Sequence, residues 1–343
     1  LGFEVLVNKS FTVFGFEIAY YGVIMALSMV CGALMAYHEA KRTGQKVDDY
    51  IDYTLFGIVG GIICARLYYV IFEWDYYSKN LTQIFNLRGG GLAIYGGIIG
   101  AVVVAVIFCK VKKMKFFKFT DTAVLGLITG QIIGRWGNFF NREAFGSYTD
   151  SLFAMQIPVA DIGTNVDVTD AMKVMINGVE YVQVQPTFLY ESVLNLVLLI
   201  LLLIFRDKKK FYGETFCRYL MGYGVIRFIV EGFRTDQLKI GSVAVSQILS
   251  AVLFVAALAI VIVMRMRLKG KPSQLDPIPV KKSKKSAVDI DDEAEEEEQA
   301  EEEAMEEVSS DIDDDMEETS AQDSTEDCLL YTSDAADEAR SVD

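Results

Sequence analysis

Seven long apolar stretches alternate with short polar segments over the first 265 residues of the chain. A hydrocarbon core of about 30 Å needs roughly 20 mostly apolar helical residues to cross it. The predicted spans are 18–37, 55–72, 91–109, 121–137, 188–205, 215–233 and 244–264, of which the fourth and sixth are the least apolar. The pattern therefore predicts an all-α fold, a polytopic membrane helix bundle with seven transmembrane helices.

The basic residues lie unevenly in the segments between these spans. Twenty Lys and Arg residues fall in alternate segments, namely 38–54, 110–120, 206–214 and 265–285. The other four segments hold only seven, and these are 1–17, 73–90, 138–187 and 234–243. Because cytoplasmic segments are enriched in Lys and Arg, we expect the N-terminus outside, the C-terminus in the cytoplasm, and the longest loop, 138–187, on the exterior.

The net charge of −15 hides two different parts of the chain. Residues 286–343 hold 26 of the 47 acidic residues but one of the 32 basic residues, so the rest of the chain carries +10. An apolar, cationic body of this kind excludes a soluble nucleic-acid binder. We expect a membrane domain over 1–270 and an acidic, disordered cytoplasmic tail over 271–327. The composition changes abruptly at 328–343, which predicts a non-native scar.

Six ionisable residues lie within or at the ends of the apolar spans: Arg66, Arg135, Glu191, Arg218, Arg227 and Glu231. Each costs about 2.5 to 3.5 kcal/mol at the centre of a membrane helix, so they must pair, or face water or a ligand. For Arg66 we weigh an ion pair with an acidic residue of a neighbouring helix against a place in a polar site. Arg218 lies near a cytoplasmic end, where its long side chain can reach the interface.

Tyr223, Arg227 and Glu231 recur at every fourth position of the sixth span. This spacing places a phenol, a guanidinium and a carboxylate on one helix face. The stripe fits either a polar site or a buried Arg–Glu ion pair that orients the helix. Arg234, three residues after Glu231, adds a positive charge at the outer end of this span.

The fourth span ends in an unusually polar run, Gly134 to Gly146, with the sequence GRWGNFFNREAFG. Its glycines permit positive φ or close approach of backbones, so we expect a broken helix or re-entrant turn that lines a cavity. Arginine forks onto phosphate and asparagine adds a neutral donor, which together suit an oxyanion. An ordinary exterior loop is the alternative.

Two further motifs belong to the same half of the bundle. Tyr95 lies between glycines where the third span begins, and Pro186 opens the fifth span just before Glu191. Glycine stripes such as Gly126, Gly130 and Gly134 predict closely packed helices. All of the polar motifs fall on the exterior half, so we expect a cavity that meets outer-leaflet lipid.

Several classes of protein are compatible with these residues. A lipid enzyme and a transporter or channel for an organic anion both need arginines in an outer cavity, although the two halves show no self-similarity of the kind that transporters have. A metal-dependent phosphatidyltransferase needs an Asp-rich motif, which is absent from the spans, and a structural scaffold leaves the polar run unexplained. With no HExxH motif, histidine cluster or CxxC spacing, we expect no metal and no cofactor.

Five motifs in order resemble the prolipoprotein diacylglyceryl transferase family over about residues 8–265. They are FTVFGFEIAYYG (11–22), GGGLAIYGGIIG (89–100), GRWGNFFNREAFG (134–146), QPTFLYE (185–191) and YGVIRFIVEGFR (223–234). The resemblance implies a multi-pass enzyme of the bacterial inner membrane. It implies transfer of the diacylglyceryl group of phosphatidylglycerol to the lipobox cysteine in the signal peptide of a prolipoprotein, with release of glycerol phosphate.

The resemblance, together with the chemistry, predicts the site residues. The predicted catalytic residues are Arg135, Arg227, Glu231, Tyr95 and Glu143. The predicted substrate-binding residues are Asn138, Asn141, Gly146, Tyr223, Tyr21, Arg234 and Glu191. The arginines are expected to hold the phosphate as it gains charge in the reaction. A cationic site also lowers the pKa of a thiol from about 8.5, so modest assistance from a base is enough.

The identity of the base stays open at this stage. Many members of the family have a histidine where this chain has Tyr95, and its single histidine, His38, lies at the cytoplasmic end of the first span. Glu231, Glu143 or an ionised Tyr95 are the alternatives. A tyrosine has an ordinary pKa near 10, so we rank Tyr95 first as a group that orients substrate and only second as the base.

Overall fold

The computed structural model describes residues 2–5, 8–87, 90–162, 168–235, 237, 239–241, 243–271 and 275–277. The predicted acidic run after residue 288 and the predicted scar at 328–343 lie outside the described residues, as does Gly89 of the glycine motif.

Every predicted span is a helix, and short strands occupy the segments between some of them. In chain order the elements are β1 (Phe3–Glu4), β2 (Ser10–Val13), β3 (Phe16–Ala19), α1 (Tyr20–Arg42), α2 (Asp48–Phe72), α3 (Trp74–Tyr77), α4 (Ile94–Val111), α5 (Phe116–Asn141), β4 (Met155–Pro158), β5 (Lys173–Ile176), β6 (Val179–Val184), α6 (Thr187–Phe205), α7 (Glu214–Glu231), β7 (Lys239–Ile240), β8 (Val243–Ala244) and α8 (Val245–Arg267).

Six helices in the described part of the chain are long and apolar enough to cross a membrane, and they are α1, α2, α4, α5, α6 and α8. Only 11% to 39% of the residues in their most apolar windows are buried within the protein. Surfaces this apolar and exposed need lipid around them. The helix α7 is not among the six, because its 18 residues include Glu214, Arg218, Arg227 and Glu231.

Glycines bring pairs of helices into backbone contact, as the small-residue stripes predict. A Cβ atom on Gly126 of α5 would lie 2.4 Å from the carbonyl oxygen of Gly32 on α1. A Cβ atom on Gly100 of α4 would lie 2.8 Å from the carbonyl oxygen of Gly60 on α2. These distances leave no room for a side chain, so the α1–α5 and α2–α4 pairs depend on glycine.

The helices α5, α6 and α7 share one apolar core beneath the polar residues of the site. Its buried members are Val124, Leu125, Ile128, Leu198, Leu199, Leu202, Tyr219, Ile226 and Val230. This packing holds the three helices that carry most of the predicted site residues in a fixed relation to one another.

The segments rich in Lys and Arg meet at one end of the bundle. The ion pairs that join them are Arg42–Asp207, Lys112–Asp49, Lys118–Asp276, Lys209–Asp121 and Arg265–Glu214. The hydrogen bond from Lys118 lowers the pKa of Asp276 to about 2, so this carboxylate stays charged at any physiological pH. The grouping of these segments agrees with the predicted alternation of basic and non-basic ends.

A small sheet occupies the opposite end. Strands β4, β5 and β6 lie in the long loop between α5 and α6, and β1 comes from the N-terminal segment. Its strand order is β1-β4-β6-β5, with β1 parallel to β4 and the other neighbours antiparallel. Its buried apolar residues are Val5, Phe145, Met155, Ile157, Met172, Val182, Val184 and Phe188. Because Phe145 precedes β4 and Phe188 lies in the first turn of α6, the sheet packs directly on the helix ends that carry the site.

Among the described residues Arg66 pairs with no acidic residue, contrary to one of the two predictions for it. Its guanidinium is buried and donates five hydrogen bonds of 2.6 to 2.9 Å to backbone carbonyls. The acceptors are Gln83, Ile84, Asn86, Gly90 and Gly91. All five donors of the side chain are therefore used to shape the connection between α2 and α4.

The polar run at the end of α5 is helical for more of its length than predicted. The helix continues through Asn141, and the break comes at Arg142, which adopts a left-handed conformation with φ of 55°. Ala144 follows with φ of 57°. The first half of the run is thus a regular helix face rather than a re-entrant turn: neither Gly134 nor Gly137 has a positive φ, and Gly137 instead allows the Tyr21 ring to pack closely.

Candidate active site

Glu191 joins the two arginines that the sequence predicts to act together. Its Oε1 lies 2.7 Å from Nη2 of Arg135 on α5, and its Oε2 lies 3.3 Å from Nη1 of Arg227 on α7. The hydroxyl of Tyr223 donates to Oε1 of Glu191 at 3.3 Å. The Glu191 carboxylate on α6 therefore contacts side chains of two other helices, α5 and α7.

Glu231 extends this cluster by one turn of α7. Its Oε2 lies 2.7 Å from Nη2 of Arg227, as expected for charged residues four positions apart on a helix. Tyr223, Arg227 and Glu231 thus share one face and one network, as their spacing predicts. The ion pair that we weighed as an alternative is present, and it belongs to the same cluster as Arg135 and Glu191.

The carboxylates of the cluster lie deeper than the guanidiniums. The side chains of Glu191 and Glu231 are 2% and 5% exposed, whereas those of Arg135 and Arg227 are 22% and 19% exposed. Buried carboxylates behind partly open arginines fix the guanidiniums in place and leave their outer edges able to meet an anion.

A second polar group forms around Glu143, just past the end of α5. The side-chain amides of Asn138 and Asn141 donate to Oε1 of Glu143 at 3.1 and 3.2 Å. Within the described residues, no guanidinium or ammonium group forms an ion pair with this carboxylate. It is therefore held by neutral donors, unlike Glu191 and Glu231.

Tyr21 connects the two groups. Its ring lies against α5, where a Cβ atom on Gly137 would come within 2.9 Å of it. Its hydroxyl lies within electrostatic range of both Glu143 and Arg135. A residue of the first span therefore lies beside α5 at the site, and the binding role of Tyr21 stays a prediction.

Gly146 and Arg234 close the site at the end nearest the sheet. The two residues form an antiparallel bridge, and the Gly146 N–H donates to the Gln185 carbonyl at 3.0 Å. A Cβ atom on Gly146 would lie 2.9 Å from Cβ of Gln185 and 3.0 Å from the carbonyl oxygen of Phe233. Gly146 is therefore required for close packing of three segments, which is a structural contribution to the predicted binding site.

Tyr95 stands apart from the other predicted residues. It lies in the first turn of α4 and is 37% exposed. In the part of the chain that the structure describes, its hydroxyl forms no hydrogen bond with the cluster. Its predicted role as an orienting group or base stays a prediction without a contact to support it.

Sequence reasoning missed the residues that lock α5 to α6 and α7 beside the cluster. The indole N–H of Trp136 donates to Oγ of Ser192 at 3.3 Å, and that hydroxyl donates to the Ile132 carbonyl at 2.9 Å. The hydroxyl of Tyr219 donates to Oε1 of Gln131 at 3.0 Å. Trp136 and Ser192 directly follow Arg135 and Glu191, and Gln131 lies one helical turn before Arg135; these positions are the signal that would have found them.

The fold and the site together define a polytopic membrane protein with two arginines held on one buried carboxylate at one end of its helix bundle. The family model of the prolipoprotein diacylglyceryl transferases matches residues 8–263. The chain therefore belongs to that family, as its motifs predict.

Individual relatives agree with the family model. A phosphatidylglycerol–prolipoprotein diacylglyceryl transferase of Clostridioides difficile is 43% identical over 243 residues, which cover 71% of this chain and 89% of the relative. The protein of the same name from Finegoldia magna is 42% identical over 248 residues, which cover 72% and 91%. The one from Bacillus mycoides is 42% identical over 250 residues, which cover 73% and 89%. The relatives are named as transferases, which confirms the predicted class of enzyme.

Proposed function

We propose that this protein transfers the diacylglyceryl group of phosphatidylglycerol to the lipobox cysteine thiol of a prolipoprotein and releases glycerol phosphate. The family supports this activity, since the relatives are named for these two substrates. The observation that carries it in this chain is the meeting of Arg135 and Arg227, from two different helices, on the single carboxylate of Glu191.

The protein is proposed to cross the bacterial inner membrane seven times. The additional crossing is α7, which is too rich in charged residues to be recognised as a span from its composition alone. Each charged residue of α7 has a partner of opposite charge: Glu214 with Arg265, Arg218 with Glu214, Arg227 with Glu191, and Glu231 with Arg227. Paired charges cost much less to bury than the isolated ones that a hydropathy average assumes. The basic end then faces the cytoplasm, and the site and the sheet face the exterior.

The arginine pair is proposed to bind the phosphate of phosphatidylglycerol. Two guanidiniums on separate helices supply forked donors from two directions, which matches the oxygens of a phosphodiester. Since buried carboxylates already orient them, little reorganisation is needed as the leaving phosphate gains charge. A lysine in either position carries the positive charge but cannot donate two parallel hydrogen bonds to one phosphate.

The reaction forms a carbon–sulfur bond and breaks a carbon–oxygen bond. The thiol sulfur attacks the glycerol carbon next to the phosphate, the bonding electrons leave with the phosphate oxygen, and the thiol proton passes to a base. Of the candidate bases, Glu143 accepts hydrogen bonds from two neutral amides and has no cationic partner among the described residues, whereas Glu231 is paired with Arg227. Because the Glu231 carboxylate is already engaged by Arg227, Glu143 is proposed as the base.

The proposal is tested with the purified protein in mixed micelles of phosphatidylglycerol and a lipobox peptide. Transfer adds the mass of a diacylglyceryl group to the peptide cysteine and releases glycerol phosphate in equal amount. A peptide with serine in place of the cysteine is the control for the acceptor. A protein that binds the lipid but modifies no peptide contradicts the proposed activity.

Arg135→Lys tests, in the same assay, the proposal that Arg135 and Arg227 bind the lipid phosphate. The lysine keeps the charge and loses the forked donors, so we expect transfer to fall at least about tenfold. Arg218→Lys, on α7 at the basic end, is the matched control and should change transfer less than twofold. Equal rates for Arg135→Lys and the unmodified protein would exclude a bidentate role.

A further inference from the structure

A second polar layer lies one helical turn below the arginine cluster. On α5, Gln131 is four residues before Arg135, and on α7, Tyr219 is four residues before Tyr223. The hydrogen bond from Tyr219 to Gln131 shows that these two helices meet at this depth. On α6, which runs the opposite way, the residue four positions after Glu191 is Asn195.

Asn195 is completely buried and has no hydrogen-bond partner. Its exposed fraction is 0%, and both Oδ1 and Nδ2 lack a partner among the described residues. A buried amide that makes no hydrogen bond is strongly unfavourable, and in lipid surroundings no bulk water relieves it. Such a group calls for an explanation, and a role in another state of the site is one that its position beside Glu191 suggests.

The nearest functional group along the helix is the Glu191 carboxylate. Side chains four positions apart on a helix are neighbours, with Cβ atoms about 5–6 Å apart. A helical side chain also lies over the turn that precedes its own Cα, so Asn195 points back toward the turn of Glu191. The Nδ2 amide of Asn195 is therefore a donor within reach of a different rotamer of Glu191.

We propose that Asn195 is a positioning residue that receives the Glu191 carboxylate when a lipid phosphate takes Arg135 and Arg227 away from it. This inference rests on the proposed function. In this structure Glu191 engages one nitrogen of each guanidinium, and the proposal is that the phosphate takes over at least one of these two contacts. Without a new donor, the buried Glu191 carboxylate would be left with one partner fewer.

This arrangement makes lipid binding an exchange of partners. The phosphate gains the guanidiniums, Glu191 gains the amide of Asn195, and the amide loses its unpaired state. The same exchange runs backward when glycerol phosphate leaves, which resets the arginines on Glu191. Asn195 touches neither substrate, and it acts entirely through Glu191.

Asn195→Leu is the variant that tests the exchange, because leucine has a similar volume and no donor. One hydrogen bond to a charged group corresponds to about tenfold or more in binding, so we expect the KM for phosphatidylglycerol to rise by at least about tenfold. The kcat should change less than threefold, since the interaction is lost equally from the bound and transition states. Asn195→Gln keeps the amide and should restore KM to within about threefold.

The melting temperature of Asn195→Leu separates this role from a structural one. Replacing an unpaired buried amide by an apolar side chain should leave thermal stability unchanged or raise it. Leu199→Ala, one turn further along α6, is the matched control, which should lower the melting temperature without raising KM. A lower melting temperature for Asn195→Leu would show that the amide is already paired, and it would overturn the proposal.

A double-mutant cycle with Glu191→Gln completes the test. If Asn195 acts through Glu191, Asn195→Leu should change lipid affinity less than twofold in the Glu191→Gln background. Affinity is read from the thermal shift produced by phosphatidylglycerol micelles, which needs no transfer. An unchanged KM in Asn195→Leu, or independent effects in the cycle, overturns the inference. Absence of transfer in the unmodified protein would instead count against the proposed function.

Discussion

Replacing Glu191 by glutamine tests the central contact of the site with almost no change in volume. The glutamine amide can still accept one hydrogen bond through its oxygen, for example from Arg135. Its NH2 group, however, faces the Nη1 donor of Arg227, and two donors cannot pair. The variant therefore keeps one arginine in place and releases the other.

The size of the effect follows from the three contacts of the carboxylate. The contact with Arg135 is 2.7 Å and strong, whereas those with Arg227 and the Tyr223 hydroxyl are both 3.3 Å and near the limit for a hydrogen bond. Loss of one charge-assisted hydrogen bond is worth about 1.5–3 kcal/mol. At about 1.4 kcal/mol for each factor of ten, kcat/KM should fall roughly 10- to 150-fold.

The assay is the rate of diacylglyceryl transfer to a lipobox peptide at several concentrations of phosphatidylglycerol. Glu39 provides a matched control at the basic end of the bundle. It is also a buried glutamate between two arginines, 2.7 Å from Arg42 and 2.8 Å from Arg206. Glu39→Gln removes the same kind of contact far from the site.

The reasoning is refuted by either of two results. If Glu191→Gln keeps kcat/KM within twofold of the unmodified protein, the carboxylate does not set the arginines for catalysis. If Glu39→Gln lowers kcat/KM as far as Glu191→Gln does, the loss reflects general damage to the bundle. Only a loss of kcat/KM that is selective for Glu191→Gln supports the proposal that Glu191 holds the two phosphate-binding arginines in place.

Four other changes have definite expected results. Arg66→Lys should lower the free energy of unfolding by about 3 kcal/mol, because lysine can replace at most three of the five hydrogen bonds, and thermal unfolding in detergent measures this. Gly100→Ala should lower the melting temperature, whereas Gly22→Ala, with no atom within 4 Å of its Cβ position, should not. Tyr95→Phe should transfer at the full rate, since the hydroxyl has no partner in the described residues, and a tenfold loss would give it the orienting role instead. A chain that ends at residue 285 should keep the full rate of transfer. An inactive truncated chain would show that the acidic tail is needed for transfer.

The helices were predictable because the membrane imposes a simple rule on sequence. A span needs roughly 20 apolar residues, and each predicted stretch is a helix in the structure. The exception in composition is α7, whose charges remove it from the six apolar helices. Its partners, such as Arg265 and Glu191, come from α8 and α6, so no property of α7 alone explains how those charges are accommodated.

The site was predictable where its residues share one helix, and less so where several helices meet. The face of Tyr223, Arg227 and Glu231 follows directly from a spacing of four. The central position of Glu191 does not, because a predicted binding residue near a helix start carries no sign of its two arginine partners. The hydrogen bonds of Arg66 to backbone carbonyls were missed for the same reason, since a carbonyl is present at every residue.

The amino-acid sequence by itself determined the membrane class, the order of the spans, the grouping of the basic segments and the family. These depend on hydropathy, charge and local motifs, which are properties of contiguous residues. Tertiary structure alone decided which carboxylate holds both arginines, which arginine shapes a loop, and which asparagine lies buried without a partner among the described residues. Those outcomes depend on distances between helices that are remote in the chain, and such distances are set by the packing of glycine and apolar faces rather than by any one segment.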